Sequence, residues 1–430
     1  MYRFHPSVKW SRGYRNRQQI ISQVRQLWHR YGLSTRTKFN TRVTNLYQDP
    51  HGRWIINDPC HGRFDGVISA IGTCSAPKTP RLPGMASFSG SIHHSSNLAG
   101  TSARDKTMII GGGGASVVEA LEFAADEGAA KVYILAWSDK WIIPWNPVWD
   151  VLLSLNVFEQ ETFLSWIPEM LLRKLFYRDL QGLAPPAEKG LFTDTPMVNS
   201  DVMEKLRSGK AECLRCDIER CVEDGVLVNR RAKGVPAGGP GEKEVIRGDM
   251  IVMATGFERP ELDFLPGSCF KKPYAPPNYY LGTFPPEHPS ISCINCTYKG
   301  AIGTVGNWHI GIYTRILLMF LVDPLTRPSP FWMKRWVDMT RLLKSASPIG
   351  AFDFFTYLEL VWWFVFCICF DPFRWKWALF VFFGLGFVLP RRVVHIEERI
   401  RNGVGLNWDE GPRDAGGSAI DRIPQRKNGM

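Results

Sequence analysis

The sequence predicts an α/β protein in which one nucleotide-binding domain is inserted into another, followed by a hydrophobic helical extension. Three observations carry this. Residues 106–137, "KTMIIGGGGASVVEALEFAADEGAAKVYILAW", read as strand, glycine turn, helix and strand at the spacing of a βαβ unit. Two more apolar strands end on glycine, "GVISAIG" at Gly72 and "DMIVMATG" at Gly256, and they bracket that unit. Near the C-terminal end, "LVWWFVFCICF" and "WALFVFFGLGFVL" give apolar runs of eleven and thirteen residues.

The elements follow in order. "RQQIISQVRQLWHRYGL" places Ile20, Ile21, Val24, Leu27 and Trp28 on one helical face, with Gly32 as its stop. Short strand patterns come next, in "KFNTRVTNLYQDPHGRWIIND" around Val43 and in the run to Gly72. A strand that ends on Ala-Ile-Gly-Thr leaves bare backbone at its tip, which suits a flat cofactor lying close by. From Lys140 to Lys210 the pattern is mostly helical and rich in Trp and Pro. Strands return in "CDIERCVEDGVLV" and "EVIRGDMIVMATGFERP", separated by the flexible "AKGVPAGGPGEKE". The expected divisions are 1–104 and 246–345 for the outer domain, 105–245 for the inserted one, 346–395 for hydrophobic helices and 396–430 for a disordered tail.

Composition narrows the function classes. A chain of 430 residues with 45% hydrophobic and 22% charged residues is that of a folded protein. Its net charge of +11 suits anionic cofactors or an anionic membrane surface, and no basic block marks nucleic acid as a partner. No signal peptide is legible, so the ten cysteines are expected to be reduced. Cys213/Cys216 and Cys293/Cys296 are C-x-x-C pairs, readable as a split zinc site or a redox dithiol. The strand-like alternation around Cys216 and Ile218 favours small buried hydrophobes instead, and no metal is expected.

In the glycine turn, Gly112 permits the tight bend and Gly114 lets backbone approach a pyrophosphate. The helix from about Ser116 then offers that anion its free N–H groups. Val117 stands where a third small residue is usual. At the tip of the second strand, a carboxylate would hold a ribose 2′-hydroxyl and a cation a 2′-phosphate. Ala136, Trp137 and Ser138 occupy it, with Asp139 close and Lys140 beyond. NADP is favoured over NAD, with Ser138 and Lys140 as phosphate partners; the alternative for Lys140 is an exposed loop cation.

These motifs converge on a family. "FSGSIHHSSNL" resembles the F-x-G-x-x-x-H-x-x-x-[aromatic] fingerprint of class B flavin-dependent monooxygenases, the group of flavin-containing monooxygenases, N-hydroxylases and Baeyer-Villiger enzymes. Phe88, Gly90 and His94 match it, and Leu98 replaces the aromatic. The resemblance continues through "LPGMASF", "IIGGGGAS", "TPMVNSDVMEKLRSGK" and "DMIVMATGF". It implies a two-dinucleotide-binding-domain flavoprotein fold, an NADP domain inserted in an FAD domain, in which NADPH reduces the flavin and O2 is activated on it. The flavin does the hard chemistry and the protein positions it. His94, on the linker, is implied to couple NADP binding to domain geometry. Val43, Gly72, Thr73, Thr255, Gly256, Gly306 and Asn307 are what the resemblance leaves for FAD.

The family's first glycine turn, which cradles the FAD pyrophosphate, has no counterpart ahead of "YRFHPSVKW". The expectation is a mis-called start, with a non-catalytic remnant, or a short protein that builds its FAD site differently, as the alternatives. Neither apolar run reaches the ~20 residues needed to cross a bilayer. With Trp and cations at the break, residues 355–390 are expected to contact a membrane surface, on the cytosolic face of the endoplasmic reticulum; the alternative is a helical pair in a cytoplasmic protein. The hydrophobic addition is similar to fungal members that tailor secondary metabolites. The expected reaction is N- or S-oxygenation or hydroxylation of a small molecule. Baeyer-Villiger oxygenation of a ketone and a dithiol reductase built on Cys293 and Cys296 are the alternatives.

Overall fold

The computed structural model describes residues 17–144, 149, 165–191, 193, 197–199, 201–297, 307–345, 359–371 and 374–384. Helix α1 (Arg17–Arg30) forms where the apolar spacing predicts. Its stripe is not a core face, however: Val24 is 49% exposed and Gln23 is the buried residue. Strands β1 (Leu46–Gln48) and β2 (Trp54–Ile56) make an antiparallel hairpin. Strand β3 (Val67–Ser69) pairs in parallel with the later β13 (Ile291–Cys293).

Val43, expected inside a strand, lies outside one and is exposed. The cause is local. The Asn57 side-chain oxygen accepts from the backbone N–H groups of Thr44 and Asn45 at 2.8 and 3.2 Å, so a side chain takes donors that a ladder would use.

The central element is a seven-stranded sheet. Its members are β4 (Ser91–His94), β5 (Thr107–Gly111), β6 (Lys131–Ala136), β9 (Ala211–Val222), β10 (Gly225–Arg230), β11 (Glu242–Arg247) and β12 (Met250–Met253). The order is β11-β10-β9-β6-β5-β12-β4, parallel from β9 to β4 and antiparallel over β10 and β11. Between β6 and β9 lie the short parallel pair β7 (Ile142–Ile143) and β8 (Met197–Val198), with helices α3 (Trp166–Leu171) and α4 (Asp201–Arg207). Helix α2 (Ala115–Glu127) crosses from β5 to β6 and stops at left-handed Gly128, whose N–H donates to the Ala124 and Ala125 carbonyls.

The sheet is wider than the expected 105–245 insertion. β4 and β12 lie outside those limits, yet both join it, and β12 covers the edge that β5 would otherwise leave open. Alternate residues of each strand serve two cores. Met108, Ile110, Val132 and Ile134 pack beneath Val117, Leu121 and Ala124 of α2, while Ile109, Leu135, Leu214 and Ile251 pack on the opposite face with Phe88. Burial on both faces explains why these strands read as continuous apolar runs.

Beyond β13 come α5 (Asn307–Val322), α6 (Pro330–Ser345) and a helical run over 359–364 that continues as a π turn, Val365–Cys369. The described residues 376–384, most of helix Trp375–Phe383, belong to a second unit of the chain. Among the described residues no helix is long and apolar enough to cross a membrane.

Gly90 shows why its position excludes a side chain. An added Cβ would stand 2.2 Å from the Asp249 carbonyl oxygen and 2.7 Å from the Phe88 ring. Gly90→Ala is expected to lower stability by about 2–3 kcal/mol, read as a shift in the denaturation midpoint; an unshifted midpoint would show that the β4–β12 approach is looser than described.

Candidate functional site

β5 ends on Gly111, and Gly112 turns the chain into α2. Gly112 sits at φ +154°, where a Cβ would meet the Ala254 carbonyl oxygen at 2.4 Å, and the Ala254 N–H donates to the Gly111 carbonyl at 2.8 Å. The turn is therefore pressed against the tip of β12. Around Gly113 and Gly114 the space is open, with nothing within 4 Å of an added Cβ. Gly114 precedes Ala115 in extended conformation, no side chain caps α2, and the Val117 N–H already donates to the Gly114 carbonyl. The helix starts one residue earlier than expected, and Ser116 lies in its first turn. An uncapped helix start behind an open glycine loop fits a dinucleotide diphosphate.

At the tip of β6, Ser138 and Lys140 line the same cleft as Gly113 and Val117, joined by Cys213 and Arg215 from β9. Asp139 is not left to accept a ribose hydroxyl: its carboxylate is paired with Arg215, and its carbonyl accepts from Lys189. Arg231, almost fully buried, pairs with Asp217 at 2.9 Å and donates to the Trp137 carbonyl at 2.6 Å. Lys233 is held below the usual lysine range by burial and then by the nearby Arg173 and Arg215 guanidiniums, with Asp139 opposing them. Cations thus outnumber carboxylates at this end of the cleft, the condition under which a 2′-phosphate is favoured over a bare ribose.

Arg173, Arg215 and Lys233 escape sequence reasoning. Only the sheet order sets Arg215 of β9 beside Ala136 of β6, with which it is in register.

The two linkers meet beside the turn. Ser75 N–H donates to the Glu258 carbonyl at 2.8 Å, Glu258 N–H to Ala76 at 2.7 Å and Lys78 N–H to Gly256 at 2.9 Å. His94, which closes β4 in register with Met253, is 6% exposed and locks this crossing. Its Nε2–H donates to the Gly256 carbonyl at 2.9 Å, and its Nδ1 meets the Ser96 N–H at 3.2 Å and the Ser96 hydroxyl at 2.9 Å. The Phe257 ring stands edge-on to it, centroids 5.2 Å apart. His94 is accordingly a positioning residue, reaching the site through the linker. Phe88, Gly90 and His94 act together: a core anchor, a close approach and a clamp.

The residues left for FAD are brought together in part. Gly72 and Gly256 both adopt left-handed backbone, φ +77° and +78°, with open space in front of them. Thr73 follows Gly72 at the head of the same linker, but the Thr255 hydroxyl is engaged by the Lys78 carbonyl. Val43 is outside its expected strand, Gly306 lies outside the described residues, and Asn307 opens α5. Among the described residues no second strand, glycine turn and helix cradles another diphosphate.

The cysteine pairs differ. Cys213 and Cys216 belong to opposite faces of the sheet, Cys213 against the α2 core and Cys216 in the other, so they cannot share a ligand. Burial pushes Cys213 up to about 11 and Cys216 up to about 12. Cys293 and Cys296 share one core with Cys269 and Tyr279. The hydrogen bond between them raises Cys293 and lowers Cys296. Among the described residues no three His, Cys, Asp or Glu side chains are placed to hold a metal ion.

Comparison with known proteins sets this geometry in context. No family model matches the chain. An uncharacterised monooxygenase of Mycobacterium tuberculosis is 28% identical over 151 residues, 34% of this chain and 30% of that protein. A Baeyer-Villiger monooxygenase of Pseudomonas aeruginosa is 26% identical over 122 residues, 27% of this chain and 23% of that protein. The match spans less than a third of the length of these curated relatives. Among solved structures, oxidised steroid monooxygenase bound to NADP superposes with a TM-score of 0.59 at 18% identity, covering 85% of this chain and 87% of that one. Cyclohexanone monooxygenase bound to ε-caprolactone gives 0.55 at 15%, covering 81% and 82%. The fold is that of the two-dinucleotide-binding-domain flavoprotein monooxygenases.

Two outcomes follow. His94→Ala removes the Gly256 clamp and is expected to cost about 1–3 kcal/mol, measured by chemical denaturation, with an unchanged midpoint counting against the clamp. In timed alkylation at pH 8 followed by peptide mass mapping, exposed Cys74 is expected to react while buried Cys216, pushed up to about 12, stays unlabelled; Cys216 reacting alongside Cys74 would mean that it is not buried as described.

Proposed function

We propose that the chain serves an NADPH- and O2-dependent flavin monooxygenase acting on a small organic molecule. The observation that carries this is one cleft joining the open glycine turn at Gly113 to the cationic end at Lys140 and Arg215. The diphosphate is held by the first turn of α2 near Ser116. Ser138, Lys140 and Arg215 take the adenosine phosphate, with Asp139 neutralised by its pairing with Arg215. His94 holds the linker at Gly256, which would fix the backbone beside a nicotinamide bound at the carboxyl ends of β5 and β12. Those two glycines let a flat ring lie against bare backbone. A bound flavin supplies the oxygen-activating chemistry.

For the oxygenated centre, the similarity to a Baeyer-Villiger monooxygenase favours a carbonyl over the nitrogen or sulfur centre expected from sequence. The second reading, N- or S-oxygenation, rests on the lack of a clear match to the arginine that the resemblance places beside the flavin in Baeyer-Villiger enzymes. Fungal secondary metabolism remains an analogy in the style of the chain.

The test is the purified protein with added FAD, supplied with NADPH and panels of cyclic ketones, sulfides and amines, and read by product mass. A gain of one oxygen on a ketone supports the carbonyl reading, and a sulfoxide or N-oxide the second. A protein that neither binds FAD nor consumes NADPH overturns the proposal. Arg215→Ala is expected to weaken NADPH roughly tenfold while changing NADH little, the discrimination that loss of a charged phosphate contact gives. Equal weakening of both nucleotides would remove Arg215 from the phosphate site.

A further inference from the structure

The two C-x-x-C pairs meet opposite fates in the fold. On β9 the pleat sends Cys213 and Cys216 into different cores, so their sulfurs cannot meet. Cys293 closes β13 and Cys296 follows it by one turn, and both side chains enter the same core. Asn295, at φ +59°, bends the chain between them. Both flanks of the turn are pinned to one neighbouring stretch: the Cys293 N–H donates to the Thr283 carbonyl at 2.8 Å, and the Thr297 hydroxyl donates to the Gly282 carbonyl. A single turn holds its first and fourth Cα atoms within about 7 Å, and a disulfide needs about 4.4–6.8 Å. The two thiols already share a hydrogen bond.

The two sulfurs are not equivalent. Cys293 is fully buried, whereas Cys296 keeps 6% exposure, so a small oxidant meets Cys296 first. Cys296 Sγ lies 3.7 Å from the hydroxyl of Ser69, which ends β3 in register with Cys293. The Cys293 thiol holds Cys296 below the usual thiol range; burial opposes this, and the Ser69 hydroxyl adds to it. The same hydrogen bond, and then burial, raise Cys293. Cys269, the third cysteine of this core, is pushed up to about 12 by burial. An outer sulfur with thiolate character in front of a protonated partner is the arrangement of an attacking and a resolving thiol.

We propose that Cys293 and Cys296 form an oxidation site that hydrogen peroxide closes to a disulfide, with Cys296 reacting first. Cys296 Sγ attacks one peroxide oxygen, the O–O bond breaks, and a sulfenic acid forms with loss of water. Cys293 Sγ then attacks the Cys296 sulfur, the S–O bond breaks, and a second water leaves with the Cys293 proton. In sum two thiols give up two electrons and one peroxide becomes two waters. Only peroxide is required, so the site does not depend on the proposed flavin reaction.

The test treats the whole protein with hydrogen peroxide near neutral pH, blocks the remaining thiols with iodoacetamide and maps the peptides by mass. A Cys293–Cys296 disulfide, seen as the loss of two hydrogens, is expected to form roughly tenfold faster than any oxidation of Cys213 or Cys216. Cys293→Ser should leave Cys296 as a sulfenic acid that dimedone traps, whereas Cys296→Ser should leave Cys293 unreacted. Ser69→Ala keeps both thiols and should slow closure severalfold. A pair that stays reduced while exposed Cys60 and Cys74 are oxidised overturns the proposal. So does a disulfide that takes in Cys269, a dimedone adduct on Cys293, or closure of Ser69→Ala at the wild-type rate.

Discussion

The parallel pairing of β12 with β5 is the constraint on which the rest of the structure depends. It carries the chain from beyond the inserted segment back into the same sheet, with Met253 in register with Gly111 on one side and His94 on the other. Three strand ends are thereby aligned, and in an open parallel sheet the carboxyl ends are where ligands bind. Because β12 sits so close, the turn at residue 112 has room only for glycine, and the following linker crosses within reach of the His94 ring.

From that alignment the rest follows as geometry. The glycine loop opens in front of an uncapped helix, so its electropositive end is offered to an anion instead of to a side chain. Along the same edge, β6 and β9 bring Asp139 and Arg215 together. A carboxylate that might have selected a ribose hydroxyl is neutralised, and the remaining cations set the charge of the cleft. The family fingerprint has a mechanical meaning here. Phe88 anchors the core below, Gly90 admits the Asp249 carbonyl, and His94 fastens one linker to the other.

The surface built by α6 and the 359–370 run belongs to a different part of the physics. Both helices bury an ordinary face on Tyr280 and its neighbours, yet Phe331, Trp332, Leu342, Phe366 and Phe370 stay exposed on their outward sides, among charged residues such as Arg335 and Arg341. An apolar excess of this kind is a statement about environment, since the hydrophobic effect acts on water-exposed area whichever side of a helix carries it.

The βαβ unit, a helix starting near Ser116 and the C-x-x-C pairs could be read from local pattern, because periodicity and glycine placement are properties of neighbouring residues; the strands expected to run to Gly72 and Gly256 stop at Ser69 and Met253. Val43 shows the limit even there: a single side chain, Asn57, diverts the backbone donors that a strand pattern assumes are free. The sequence by itself determined an α/β nucleotide-binding unit with a glycine turn and a fingerprint beside it. Only the tertiary structure decided that β4 and β12 complete the sheet, that Arg215 faces Asp139, that Cys213 and Cys216 part to opposite faces and that His94 meets Gly256. Each of those pairings joins residues that no local periodicity relates, and the register of a sheet fixes such partners only once all its strands are in place.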